Sequence, residues 1–541
     1  MRARLASTGR YLAAILPPLL LAAADLAAQL GRIPEGFTPI FNGRDLTGWH
    51  PSLTTHQGTN ADFSVEDGVL VLRQNPYGQG GVLLTDRKYG DFELYLEARP
   101  DWGTNGGIFF RSAESASAYQ IELAGGTGGT GDLIGEMLRV TTSARATRIE
   151  EVWREEEWNS FRLRVVGEVP QVTLWVNDVL MWEVQAERND LIADATEGMI
   201  GLQVHWSTTL TPTAGSFDMS GSWKPGAAHR FRNIAIRELE ALTPASQARH
   251  PLSRMRERGT GGEGQRGARV TKQRTVTNPV GMEFVQIQPG SMVVGRFQPT
   301  CPAPPTGAPP GAAAEQPVSR GPRQDPRALW TPEDYRRCAE MVQREARPGF
   351  TVTIERPYQI GRYEVTQAEW KRVMGTNPSV FQGSRVAGDS DRHPVDNVTW
   401  EDAQDFLARL NELDASAVYR LPTEWEWEYA ARAGADEDLS WAEVPDYAWL
   451  ALVDKGTTRP VGTKKPNAWG LHDMLGNVWE WVQDYYNHEL FADPTPPRTG
   501  TVRVLRGGSF LGDVKNTTYF ERGAGPGNGF DVGFRIVREP K

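Results

Sequence analysis

Cysteine is scarce in this chain: Cys301 and Cys338 are the only two in 541 residues, and none follows position 338. Both lie in a Pro/Ala-rich insertion without a His-rich partner segment, which argues against a two-thiol metal or redox site and for a single disulfide stapling that insertion. Positive charge is also short. Lys and Arg number 58 against 68 Asp and Glu, a net charge of −10, so nothing points to a nucleic-acid partner. Long apolar runs are missing except from Tyr11 to Ala24, and that run is short for a bilayer span. It follows Arg2, Arg4 and Arg10 and precedes the small residues Ala27 and Ala28, the layout of a signal peptide over 1–28 rather than a retained anchor. No Cys stands near the expected cut, which argues against a lipid anchor. An exported protein, periplasmic or extracellular, with no membrane span after cleavage is the expectation.

What is abundant is turn-forming residue and tryptophan: 56 Gly, 37 Pro and 18 Trp. The length exceeds what one core organises, so several domains are expected. Over residues 30–240, runs such as DFELYLEAR (91–99), GGIFFRS (106–112), AYQIEL (118–123) and SFRLRVV (160–166) alternate apolar and polar residues between Gly, Asn and Asp. That pattern predicts a two-sheet β-sandwich. Residues 241–278 are rich in Arg and Lys with Gly, Ser and Thr between, a composition that buries no core and reads as a basic flexible linker. From 279 to 541 the pattern becomes α+β with much irregular structure, interrupted by the insertion at about 298–348. Thr399 with Asp402, and Thr423 with Glu426, have the spacing of capping boxes at two helix starts.

Side-chain alternation gives the sandwich a polar face. If the strands share one sheet, Glu97, Arg111, Gln120, Glu122 and His205 project together, with Asn105 and Gln203 beside them. Every sandwich has a solvated face, but this mixture of acid, amide, guanidinium and imidazole reads as a ligand-binding one.

GFTPIFNGRDLTGW (36–49), DFELYLEAR, NGGIFFRS, EWNSFRLRV (157–165), LWVNDVL (174–180), GLQVHW (201–206) and FRNIAIREL (231–239) resemble, in order, the 3-keto-disaccharide hydrolase domain family. The resemblance implies an all-β concanavalin-like jelly roll that acts on 3-keto-glycosides. A C3 ketone acidifies the C2 proton, so a base, His205 or Glu122, could start elimination while Arg111 and Gln120 orient the sugar. Glu97, Asn105, Gln120 and Gln203 would complete the sugar contacts. Two departures stand out: Ala118 holds a slot where the family often has an acid, and Trp206 follows His205 where the family has Gly.

IGRYEVTQAEW (360–370), HPVDNVTWEDAQDF (393–406), YRLPTEWEWEYAARAG (419–434), PVGTKKPNAWGLHDMLGNVWEWVQDYY (460–486), VRVLRGGS (502–509) and VGFRIVRE (532–539) resemble the formylglycine-generating enzyme / sulfatase-modifying factor family. The resemblance implies a C-type-lectin-like domain of low regular structure. It also exposes a loss. The interval 510–532, where the oxidases of that family carry two copper-binding cysteines, has none, so no copper and no formylglycine generation are expected. The family's Ca²⁺ site maps onto Asp473, Gly476, Val478 and Glu480; the alternative is that these acids only bond loop amides.

Three readings follow. The first is an exported glycan-processing protein whose N-terminal domain cleaves 3-keto-glycosides and whose C-terminal domain is a non-oxidase binding module. The second is a non-enzymatic glycan- or protein-binding surface protein. The third, sulfatase modification, is the weakest. Convergence of His205 or Glu122 with Arg111 in one pocket would favour the first; scatter would favour the second.

Overall fold

The computed structural model describes residues 33–239, 275–297 and 331–541, apart from short breaks within each. The signal-peptide segment 1–28, most of the basic linker, the first part of the insertion with Cys301, and Asn516 lie outside the described residues. Cys338 is disulfide-bonded, and Cys301 is the only other cysteine of the chain. Among the described residues no helix is long and apolar enough to cross a membrane.

Residues 33–239 form two packed antiparallel sheets, one eight-stranded and one six-stranded. Alternation decides what each sheet buries. In Phe92–Ala98 the side chains of Phe92, Leu94 and Leu96 point inward, and register places them opposite Val165, Leu163 and Phe161 of Asn159–Val166. The six-stranded sheet answers with Ile108, Phe110, Ile121, Leu123, Leu202 and Val204. Each such side chain contributes about 1.5–3 kcal/mol through burial, so this single core holds the sandwich. The other face of the six-stranded sheet has a smaller apolar patch, Val82, Leu84, Phe109, Ala118 and Met199, beside its polar residues.

In the C-terminal domain, helices Gln367–Met374, Trp400–Leu413 and Glu424–Arg432 each open on a complete capping box, at Thr366/Glu369, Thr399/Asp402 and Thr423/Glu426. On the second helix Phe406, Leu407 and Leu410 are buried, but Leu413 is 58% exposed, because the helix stops there, beyond the edge of the core. A five-stranded sheet, a four-stranded sheet and the two-stranded pair Gly290–Phe297 with Arg347–Ile354 are its β-structure among the described residues. Trp479 and Trp481 of Trp479–Tyr485 are core residues, while Gly507 and Gly508 turn the chain with φ of +93° and +73°.

The two domains touch. The Ala524 amide donates to the Leu53 carbonyl at 3.2 Å, the Thr59 hydroxyl donates to the Arg522 carbonyl at 3.3 Å, and Arg385 pairs with Asp194 at 3.1 Å. Met137 and Ile192 of the sandwich pack on Phe381, Phe510 and Leu511.

Candidate functional site

The six-stranded sheet orders its strands as Trp49–Pro51, Gly81–Tyr89, Gly198–Val204, Asn105–Ser112, Ala118–Ala124 and Leu133–Glu136. Gln203, Gly107 and Glu122 stand in one cross-strand row, which places them on the same outward face. Gly107 has no side chain, and the Gln120 amide fills the space: a Cβ at 107 would sit 2.5 Å from Gln120 Nε2. Gln120 Nε2 donates to the Gly106 carbonyl and to Gln203 Oε1, both at 3.3 Å. Gln120 Oε1 and Gln203 Nε2 are buried with no hydrogen-bond partner, one acceptor and one donor side by side. Buried polar atoms in native proteins are seldom left so, and a polar ligand or water satisfies such a pair.

Glu136, opposite Ala118, shares this face. Gln57 Nε2 donates to Glu136 Oε1 at 2.7 Å, and His56 Nε2 lies 2.9 Å from the same oxygen. Gln57 Oε1 accepts from the Trp206 amide at 3.2 Å. One glutamine side chain therefore bridges the end of Gly198–Val204 to Leu133–Glu136, strands that the sheet order separates by two others, so segment 52–59 spans this face of the sheet. Burial would raise the Glu136 carboxyl, but the charges of His56 and His205 and the bonds from His56 and Gln57 hold it below the usual range.

His205 lies at the rim. Its amide donates to the Asn105 carbonyl at 3.0 Å, and its ring stacks on Trp206 with centroids 5.3 Å apart. His205 Nδ1 meets the Trp206 carbonyl. A carbonyl only accepts, so Nδ1 carries a proton, and Nε2 is the nitrogen at which the ring gains or loses its second one. Glu122 is half-buried, and its carboxylate abuts Gly129, where a Cβ would sit 2.8 Å away.

Two expected members are elsewhere. Glu97 belongs to the eight-stranded sheet, where it accepts from Arg232 Nε at 2.6 Å and from the Tyr95 hydroxyl at 3.1 Å. Alternation is blind to which sheet a strand joins, and this strand joined the other one. Arg111 falls at a bulge between Phe109 and Ser112 with φ of +50°, which swings its side chain out of the polar row. It is fully buried, donating to the Gly90 carbonyl and to Asp91 Oδ1 at 3.1 Å. Arg111 is thus a structural ion-pair partner, and the expected convergence of His205 or Glu122 with Arg111 does not occur. His56, Gln57 and Glu136 were not anticipated from sequence. They sit in a loop and on a four-residue strand, where periodicity carries no signal.

In the C-terminal domain the acids of the expected calcium set bond within the protein. Glu480 accepts from Arg535 Nε and Nη2, each at 2.6 Å, and from Trp427 Nε1 at 2.6 Å. The Val478 amide donates to Glu364 Oε1 and the Gly476 amide to the Gly507 carbonyl. Asp473 Oδ2 accepts from the Gly462 amide at 2.7 Å, while Oδ1 has no partner. Burial pushes Asp473 up to about 6 and, with Asp473 and Glu480 close by, raises Glu364 well above its ordinary value. The Arg535 guanidinium thus occupies the Glu480 carboxylate, and among the described residues no three His, Cys, Asp or Glu side chains cluster as a metal site. Just before the interval lacking cysteine, Ser509 Oγ donates to Asp531 Oδ2, within it, at 2.9 Å.

Fold and site together define a two-domain protein: a glycan-related β-sandwich joined to a domain like the formylglycine-generating enzymes. Through residues 313–540 the chain belongs to the sulfatase-modifying factor enzyme 1-like family, and residues 36–237 match the 3-keto-alpha-glucoside-1,2-lyase-like domain. Chaperone protein LppX of Paenibacillus barcinonensis is 32% identical over 236 residues, covering 34% of this chain and 80% of that protein. The formylglycine-generating enzyme of Streptomyces coelicolor is 36% identical over 168 residues, covering 27% of this chain and 49% of the enzyme. The chain therefore spans about half the length of that enzyme. Among solved structures, Treponema denticola variable protein 1 shares 32% identity over 36% of this chain and 88% of its own, with a TM-score of 0.33.

Proposed function

We propose that the N-terminal site binds a 3-keto-glycoside and eliminates its C1 substituent. The observation that carries this reading is the buried Glu136 carboxylate, held ionised by His56 and Gln57 beside the unpartnered Gln120 and Gln203 amides. The two amides offer one acceptor and one donor to sugar hydroxyls. His205 Nε2 takes the C2 proton, and the C2–H electron pair generates an enolate on the C3 oxygen. When the enolate collapses, C3=O re-forms, C1=C2 forms, and the C1–O bond breaks. The departing oxygen takes a proton from His56, which lies 2.9 Å from Glu136. Nothing is oxidised or reduced: one glycoside becomes a 1,2-unsaturated 3-keto sugar and a free alcohol. Export to the periplasm or cell exterior belongs to the same reading and is supported by the N-terminal sequence. The C-terminal domain, with no cysteine after position 338, acts as a non-oxidase module.

The withdrawal of Arg111 favours a second reading, binding without turnover. Incubating the purified chain with 3-keto-trehalose and following glucose release separates them: release supports elimination, binding without release supports the second reading, and neither sinks both.

A further inference from the structure

Segment 52–59 carries His56 and Gln57, and its own domain holds it only in part. The Ser52 amide donates to the Val82 carbonyl at 2.8 Å, and the Gly80 amide to the Gln57 carbonyl at 2.9 Å. The Ser52 hydroxyl also donates to the Glu114 carbonyl at 2.6 Å, and Gln57 and His56 reach Glu136 as described above. Further ties cross to the other domain. The Leu53 carbonyl accepts from the Ala524 amide, and the Thr59 hydroxyl donates to the Arg522 carbonyl. Thr59 also shares a hydrogen bond with the Tyr486 phenol. The receiving strand, Arg522–Gly525, is itself rigidly fixed. The Arg522 guanidinium is buried against both oxygens of Glu424, donates to the Asn487 carbonyl at 2.6 Å, and lies 4.8 Å above the Tyr486 ring. Between Arg522 and Ala524, Gly523 permits the approach: a Cβ there would stand 2.7 Å from the Leu53 carbonyl oxygen and 3.1 Å from the Trp479 ring.

We propose that the C-terminal domain is a positioning element for the N-terminal site: Arg522–Gly525 and Tyr486 hold segment 52–59 in the conformation that sets His56 and Gln57 against Glu136. Thr59 is the positioning residue that transmits this hold. The consequence for sugar binding rests on the reading of that site given above, but the mechanical coupling does not. An external strand adds to the ties that the loop makes within its own domain, so that more of its ordering free energy is settled before the ligand arrives.

The test uses the full chain with Thr59→Val, Thr59→Ser and Gly523→Val. Amide hydrogen exchange over 53–59 and affinity for 3-keto-trehalose are measured for each. Thr59→Val should speed exchange in that segment and weaken binding by about threefold to tenfold, the weight of one hydrogen bond. Thr59→Ser should restore both, which a packing role for the threonine methyl would not allow. Gly523→Val should speed exchange at least as much. Wild-type exchange and affinity in Thr59→Val, or failure of the serine to rescue, overturns the proposal. If the wild-type chain binds no 3-keto-trehalose, the sugar reading falls while the exchange comparison still decides the coupling.

Discussion

Glu136 and Gln57 meet at 2.7 Å across one face of the sheet, and the bond joins a loop near the start of the sandwich to its outermost strand. Sequence separation of 79 residues is closed by one amide and one carboxylate. The site stands or falls with that pair.

Replacing Glu136 with Gln keeps the shape and removes the carboxylate that His56 and Gln57 hold. With the partner of the proton donor His56 changed, turnover should fall by up to about a hundredfold, the lower end of what a positioned acid contributes, and steady-state assays with 3-keto-trehalose measure it. Because the Glu136 carboxyl titrates below its ordinary value, its contribution to stability is present above the ordinary carboxylate range and is lost as pH falls through that depressed value. Glu136→Gln should abolish that part of the acid destabilisation, read as Tm against pH.

Arg111→Met separates structure from site. The buried Arg111–Asp91 pair lies away from the Gln120–Gln203 face, so breaking it should destabilise the chain by about 3–5 kcal/mol while leaving sugar affinity of the folded fraction unchanged. Denaturant melts and calorimetric titration report the two quantities independently.

The sequence made much of the frame legible. Thr399/Asp402 and Thr423/Glu426 are local signals, closed within one helical turn, and both caps formed as read. Phe92, Leu94 and Leu96 alternate as strand residues facing a core must, and they face it. Glu97 and Arg111 were misplaced for reasons that are not local. Sheet membership depends on pairing across the chain, and one bulge at Phe109–Ser112 rotates everything beyond it. His56, Gln57 and Glu136 become a cluster only when segment 52–59 spans the sheet, so no spacing announces them.

Asp396 gives the C-terminal domain an opposite pH response. Burial lifts it to about 7, although the Val380 and Phe381 amides donate to it. A carboxyl raised in the folded state gives stability that is full below its unfolded value near 3.8 and lost as pH climbs through about 7. Asp396→Asn should flatten the Tm profile between those limits.

The Glu480–Arg535 pair predicts indifference to calcium. Glu480→Gln should destabilise by about 3–5 kcal/mol by leaving Arg535 buried and unbalanced, whereas a calcium chelator should leave the Tm of the wild-type chain unmoved. A drop of several degrees with chelator would restore calcium to Asp473 and Glu480.

The most direct measurement is time-resolved analysis of 3-keto-trehalose mixed with the purified chain, wild type beside Glu136→Gln. The account predicts glucose and a 1,2-unsaturated 3-keto sugar from the wild type and a fall in both with the variant. Equal product from the two proteins, or an unaltered disaccharide with no measurable binding to either, would contradict it.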